Sequence, residues 1–553
     1  MERAVPVPWA SARPRDLAVS LATAACLALL ALFVLYPVLL ILGRSLVAES
    51  RLSLEGYREF FGNWRLFRTL LQSFLVSGLS TVIAVTVGFV LAYAVTRTTV
   101  PAKGFISMMA LVPLIAPPFV VSLAFIMLLG RNGLLTARWF DLGWNIYGWP
   151  GIVLTQVFSF LPQAYLLLAG VLASVDTALE EAAENLGASR WLTLRKVILA
   201  VSRPGLASAF LIVFILCMTD FGNPILIGGR FSVLATEIYN QITGLQDFAT
   251  ASTLSVMLTL PCLAAYVANQ FWVGGKSYVT LKGGTSTAIR PTPRLAKWGI
   301  FAVAFGVALV ILVVYGTIVL GSFFRVWGYD WRLTLTHYDF KTVGGGEVIW
   351  NSLKMSLAAA VLGAALSVVI AYLVERKRPV GRKALEVASL LPAALPGTVM
   401  GIGYLLAFNA PPLVMTGGLG ILVASVLFLN VSVGVLVGIA SLKQVDPAIE
   451  EAAASLGASS TFTFFRVMLP LMRTAFVSAL VYIFIRGMVT LSAVIFLISP
   501  GYNLASVSIL NQVEAGRLGA AAALSTLLLA FVLGAVALLR LAVRKERVAI
   551  FSV

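Results

Sequence analysis

The chain has 553 residues, 60% of them hydrophobic and 11% charged, which is far more apolar than a soluble core requires. Its formal net charge of +17 has no basic and aromatic surface domain to carry it, so a nucleic-acid partner is excluded and the lipid bilayer is the partner implied. Cys26, Cys217 and Cys262 all fall in apolar runs without metal-ligand spacing; they read as small packing residues, and no disulfide framework is implied.

In chain order, the first apolar run covers 17 to 42, after Arg3, Arg13 and Arg15. It is too long for the apolar region of a signal peptide and reads as a retained helix. About 20 helical residues cross a bilayer core, and on that measure five further runs follow in the first half: 69 to 96, 105 to 130, 149 to 173, 205 to 229 and 248 to 273. A segment rich in glycine, proline and basic residues, 274 to 297, reads as a linker. The second half contributes 298 to 323, 351 to 374, 384 to 408, 418 to 441, 474 to 498 and 518 to 543. The expected fold is therefore all-α and integral to the membrane, with twelve transmembrane helices. The first repeat is residues 1 to 273, and the second is 298 to 553.

Lys and Arg counted over alternate connections give 25 on one side and 12 on the other. Basic residues resist translocation, so the richer side, which includes both termini and the linker, is expected to be cytoplasmic in a bacterial inner membrane.

One charged, alanine-rich segment occurs twice on that side. Residues 176 to 203 and 446 to 473 are identical at 14 of 28 ungapped positions, among them Asp176/Asp446, Glu180 and Glu181/Glu450 and Glu451, and Gly187/Gly457. The likeness extends to LAYAVTR at 91 to 97 and IAYLVER at 370 to 376, and to Pro113 and Pro117 against Pro392 and Pro396. The halves keep one order and one orientation, as parallel repeats do. In each loop, glutamates and alanines favour a short helix, small faces admit close approach by a partner, and the glycine can end the helix in a left-handed turn.

The spacing Glu181-Ala182-Ala183, Gly187, Val197, Leu199, Ala200 and its copy Glu451-Ala452-Ala453, Gly457, Val467, Leu469, Pro470 resembles the EAA signature of membrane subunits of ATP-binding cassette (ABC) importers. The first copy departs from it in having Ala200 where the proline stands, and Pro204 points to a turn slightly further on. The resemblance is to fused two-repeat permeases of the type I importer plan. It is nearest the ferric-iron type, with Asp220-Phe221-Gly222-Asn223-Pro224 and Leu234 to Tyr239 as supporting residues; thiamine and 2-aminoethylphosphonate permeases share the plan, and polyamine permeases are more distant.

The resemblance implies two cytoplasmic ATPase subunits docking on Glu180, Glu181, Ala182, Ala183, Gly187 and on Glu450, Glu451, Ala452, Ala453, Gly457, with a periplasmic binding protein delivering the substrate. The chain itself offers no phosphate-binding loop: Gly275-Lys276-Ser277 is preceded at the required position by Gln270. It is expected to hold no cofactor or metal, with ATP and magnesium bound by the partner ATPase.

An enzymatic reading finds neither paired carboxylates nor a nucleophile motif. The only histidine, His337, is expected in a solvated external loop. An ion-coupled secondary transporter would place acids or histidines inside its bundle, whereas the deep positions are nearly bare. Asp220 and Arg486, one per half, stand out; together with Asn223 they are candidate pathway or gate residues. Asp220 and Arg486 are a candidate ion pair across the halves.

Overall fold

A computed structural model describes residues 16–48, 51–141, 143, 145–273, 292–339 and 345–542. Most of the expected linker, 274–291, and the arginines before residue 16 lie outside the described residues. The spans run α1 (Leu17–Ser45), α2 (Trp64–Arg97), a third made of α3 (Lys103–Leu114) and α4 (Pro118–Leu129), and α5 (Trp149–Ser174). After α6 (Thr177–Asn185) come α7 (Arg190–Met218), the short α8 (Gly222–Ile227) and α9 (Leu234–Thr243), then α10 (Phe248–Phe271).

The second repeat begins with α11 (Arg294–Gly321) and α12 (Gly346–Lys377). A bent pair follows, α13 (Arg382–Ala394) and α14 (Gly397–Phe408), then α15 (Leu419–Leu442), α16 (Ala448–Ser455), α17 (Ser460–Leu471), α18 (Arg473–Val489), α19 (Ala505–Glu514) and α20 (Leu518–Ala542). Ten helices are long and apolar enough to cross a membrane, and two bent pairs bring the number to twelve among the described residues.

Two expected spans end early. The fifth is helical only to Met218, and the eleventh only to Val489. In each, apolar residues beyond the helix continue as coil and short helical turns packed into the bundle, so hydropathy alone overran the break. The prolines act as expected in the third and ninth spans. Pro113 and Pro392 open 3-10 turns, and Pro117 and Pro396 directly precede the next helices, because proline removes a backbone donor and ends the preceding ladder. The ninth span bends by 114°.

The repeats are internally equivalent in their packing. Where α2 meets α5, a Cβ on Gly88 would lie 2.8 Å from the Ala164 Cβ; where α12 meets α15, one on Gly434 would lie 2.3 Å from the Ser367 Oγ. Ser367 stands in the place of Gly88 and Gly434 in the place of Ala164, so each half has one glycine, on opposite helices of the pair. Close approach of backbones is the packing that membrane helices rely on, since lipid supplies little hydrophobic drive between them. The short helices α9 and α19 obey the same symmetry. Ser73 Oγ accepts from the Leu234 N–H at 2.8 Å, and Ser352 Oγ accepts from the Ala505 N–H at 2.9 Å, holding the first residues of α9 and α19.

Each half lends its first helix to the other. α1 packs on α13 and α14, with the Tyr404 hydroxyl donating to the Phe33 carbonyl at 2.9 Å. α11 packs on α3 and α4, where the ring centroids of Phe105 and Phe305 are 5.7 Å apart. The three cysteines are buried. His337 lies in a largely exposed loop but is itself half-buried: its Nε2 is 3.0 Å from the Phe324 carbonyl, and its ring presses on Gly519 at the start of α20.

Candidate functional site

The two repeated loops fold alike because the same short-range chemistry recurs. Asp176 accepts from the Ala178 N–H and Asp446 from the Ala448 N–H, both at 2.9 Å, which caps α6 and α16. Gly187 and Gly457 have φ of +85° and +80°, and the following Ala188 and Ala458 N–H groups return to Ala183 and Ala453 carbonyls at 3.0 Å, as in a left-handed helix stop. Ser189 and Ser459 then cap the next turn. No residue of α6 or α16 is buried, and Leu186 and Leu456, beside the glycines, are 88% and 87% exposed. Each loop thus offers a rigid bent element with an apolar tip.

These loops are fastened to the membrane helices by a contact the sequence reading missed. Arg97, at the end of α2, donates from Nη1 to Glu180 Oε1 at 2.9 Å and from Nε to the Leu172 carbonyl at 3.1 Å; its Nη2 reaches the Leu172 and Val175 carbonyls. In the second half Arg376 Nη2 takes the equivalent carbonyls, Leu442 at 2.7 Å and Val445. There Glu450 is held by the Tyr372 hydroxyl at 2.9 Å and Lys377 Nζ at 2.5 Å. Glu180 and Glu450 are therefore anchors of the loop to its own bundle. The recurrence of Arg97 and Arg376 in LAYAVTR and IAYLVER was the signal available.

The departure at Ala200 alters the exit from the first loop. α7 runs unbroken through Ala200 and Pro204, whereas α17 and α18 meet at 71° just after Pro470; the turn expected near Pro204 is absent. The N-terminal end of α1 also reaches the second loop: a hydrogen bond from Ser460 holds the Asp16 carboxyl below its ordinary range.

Toward the opposite end, Asp220 lies just beyond α7 and is 7% exposed. Its carboxylate accepts from Asn223 Nδ2 at 2.9 Å and Gln156 Nε2 at 3.2 Å. Asn223 in turn accepts from the Ser122 hydroxyl at 2.7 Å and donates to Ser159 Oγ at 3.2 Å. Asp220 and Asn223 are thus brought together, joined by Gln156, Ser122 and Ser159, which only tertiary packing could reveal. The equivalent positions of the second half, Val426, Leu429, Thr490 and Ala493, do not rebuild this network. Arg486 forms no ion pair with Asp220 among the described residues; it is half-buried in α18, with its Nε unsatisfied. The expected pairing fails because Asp220 finds amide donors within its own half.

Beside this network an aromatic seam crosses between halves. Phe221 and Tyr239 have centroids 5.2 Å apart, and Tyr239 and Phe496 5.9 Å, while Leu491 packs near Gly222. No group of three or more His, Cys, Asp or Glu side chains gathers anywhere among the described residues.

Residues 84–320 match the family described as the binding-protein-dependent transport system inner membrane component. The chain is 36% identical over 515 residues to the ferric transport system permease protein of Actinobacillus pleuropneumoniae, covering 90% of this chain and 74% of that one. It is 27% identical over 363 residues to the thiamine transport system permease protein of Salmonella typhimurium, covering 63% and 65%, and 29% identical over 162 residues to the molybdenum transport system permease protein of Escherichia coli, covering 29% and 70%. The paired loops, the duplicated helical bundle and these likenesses lead to one conclusion: the chain belongs to the inner membrane components of binding-protein-dependent transport systems, as a fused permease of two repeats.

Proposed function

We propose that this permease carries ferric iron from a periplasmic binding protein to the cytoplasm, driven by two ATPase subunits docked on its paired loops. The observation that carries the reading is the 36% identity to a ferric transport permease over 90% of the chain, against 27% over a shorter stretch for the thiamine relative. The loop end is cytoplasmic on the basic-residue count, which puts both termini there and the aromatic seam toward the periplasm. Glu181, Ala182, Ala183 and Gly187, with Glu451, Ala452, Ala453 and Gly457, form the ATPase-facing surface around exposed Leu186 and Leu456. ATP and magnesium belong to the partner; this chain supplies the passage.

Absence of a metal-ligand cluster among the described residues is compatible with a passage that does not store the cation, the chelating work falling to the binding protein. Asp220 and Asn223, buried beside the aromatic seam, are the pathway residues proposed for the first half, and Arg486 the one proposed for the second. The test is uptake into proteoliposomes containing the permease, its ATPase and its binding protein. Radiolabelled ferric iron should accumulate only with internal ATP and persist when ion gradients are collapsed. Accumulation of thiamine or 2-aminoethylphosphonate without iron would replace the cargo, and loss of uptake on gradient collapse would replace the energy source.

A further inference from the structure

The face opposite the paired loops, external in the orientation proposed above, has a cavity of about 920 Å³ in the first half. Its lining includes Arg68, Arg131 and Arg230 with Gln72, Tyr147 and Trp149, and no acidic residue. We propose that this cavity is a binding site for a small oxyanion, a phosphate or carboxylate group, held by the three guanidinium groups.

Three arginines on the external face run against the bias that keeps basic residues from being translocated, and their pairing sets them apart from their neighbour. Arg65, one turn before Arg68, is 3.7 Å from the buried Glu237. Arg68, Arg131 and Arg230 have no carboxylate within ion-pair distance among the described residues. Arg131 lies 5.9 Å from the centroid of the Tyr147 ring, and with the Gln72 amide turned so that its nitrogen donates to the Ser232 carbonyl, its oxygen accepts from Arg68 Nε at 3.1 Å; both contacts orient a guanidinium and leave its charge uncompensated. Arg230 is set by the preceding turn, where Gly229 has φ of +57° and its missing side chain faces the Tyr147 Cβ at 3.4 Å.

Guanidinium forks match phosphate and carboxylate oxygens geometrically and by charge. The same charges repel a bare trivalent cation, so the ligand class is anionic. The volume lies in the range of small-molecule sites, in a partly open cleft that leaves all three arginines exposed to an arriving ligand. From Trp149 at the rim, α5 descends seven residues, about 10 Å, to Gln156, which holds Asp220. The cavity thus stands above the buried polar network that exists only in this half.

The inference goes beyond the cargo proposal and holds for any cargo, so the test uses no iron. Binding of radiolabelled inorganic phosphate and of citrate is measured on the full chain in nanodiscs of neutral lipid. Saturable millimolar or tighter binding of at least one is expected, weakened roughly tenfold by Arg68→Gln, Arg131→Gln or Arg230→Gln, since each removes charge-assisted hydrogen bonds. Binding should be lost in the triple variant and unchanged in Arg138→Gln, which removes an exposed arginine of the same face outside the cavity. The single variants carry the test if the triple variant does not insert. Absence of saturable binding to wild type, or binding indifferent to the cavity arginines, overturns the proposal. So does a triple variant that loses only co-purified anionic lipid, which would assign the arginines to headgroups, or only stimulation by the binding protein, which would assign them to docking.

Discussion

Arg97 and Glu180, 83 residues apart in sequence, meet in a 2.9 Å ion pair whose side chains are only 7% and 19% exposed. The same guanidinium caps carbonyls at the end of α5, so one side chain joins three elements: the end of α2, the end of α5 and the first turn of α6. A force on the loop is therefore delivered to two membrane helices at once. Arg97→Gln removes a charged donor from Glu180 and from two carbonyls, and breaking a pair with this much burial costs roughly 3 to 5 kcal/mol. The expected outcome is ATP hydrolysis retained with transport reduced severalfold or more, read as the ratio of substrate moved to ATP hydrolysed. Arg376→Gln should act in the same direction but less strongly, because Tyr372 and Lys377 still hold Glu450. An unchanged ratio in both variants contradicts the clamp.

Gly187 and Gly457 have positive φ, and a Cβ at either would meet nothing within 4 Å. Any penalty at these sites is thus backbone strain and not a clash. Valine there should cost about 1 to 3 kcal/mol of local conformational energy and abolish transport while insertion, followed by membrane fractionation, stays normal. Asparagine, which tolerates the left-handed region better, should retain more transport than valine.

Much of this arrangement was legible in the sequence, and the rest was not for identifiable reasons. Twelve spans and two parallel repeats follow from hydropathy and from the 28-residue match, because duplicated chemistry at a fixed offset survives without tertiary information. The caps Asp176 and Ser189 and the glycine stops follow from local rules. By contrast, the ends of α7 and α18 are set by packing of apolar coil, and hydropathy cannot tell that from helix. The partners that the Asp220–Asn223 pair takes from α4 and α5 are distant in sequence, and Gln156 and Ser159 carry no motif. Arg486 drew attention as a charge in the membrane, yet its position on α18 gives Asp220 no counter-ion.

Asp220→Arg and Arg486→Asp should each impair transport, and the double swap should not restore it, since the two residues belong to separate environments. Asp220→Leu should be the more damaging of two neutral changes: it removes the acceptor for Gln156 and Asn223 amides, at about 1 to 3 kcal/mol for buried donors left unpaired, while Asp220→Asn keeps an acceptor oxygen. Substrate uptake by the five variants reads this directly, and recovery in the double swap would restore the ion pair.

The glycine contacts between helices set a stability prediction. In Gly88→Val the first added carbon already falls 2.8 Å from Ala164 Cβ and 3.1 Å from the Tyr165 backbone nitrogen; backbone cannot move aside as a side-chain tip can. Overpacking of this kind costs typically 1 to 3 kcal/mol and should lower the thermal unfolding temperature of the purified chain in detergent. Gly78→Val, at an α2 position with nothing within 4 Å, is the control and should change it little.

The proposed docking of two ATPase subunits on the two loops is read by cysteine cross-linking at the exposed tips, Leu186→Cys and Leu456→Cys, against the partner ATPase in the assembled complex. The native thiols Cys26, Cys217 and Cys262 are buried and stay silent to a bulky polar cross-linker. Each single variant should yield a product of one permease and one ATPase chain, and the double variant a product with two, each depending on the nucleotide state. A double variant that captures one ATPase or none, while the complex still transports, would contradict paired docking.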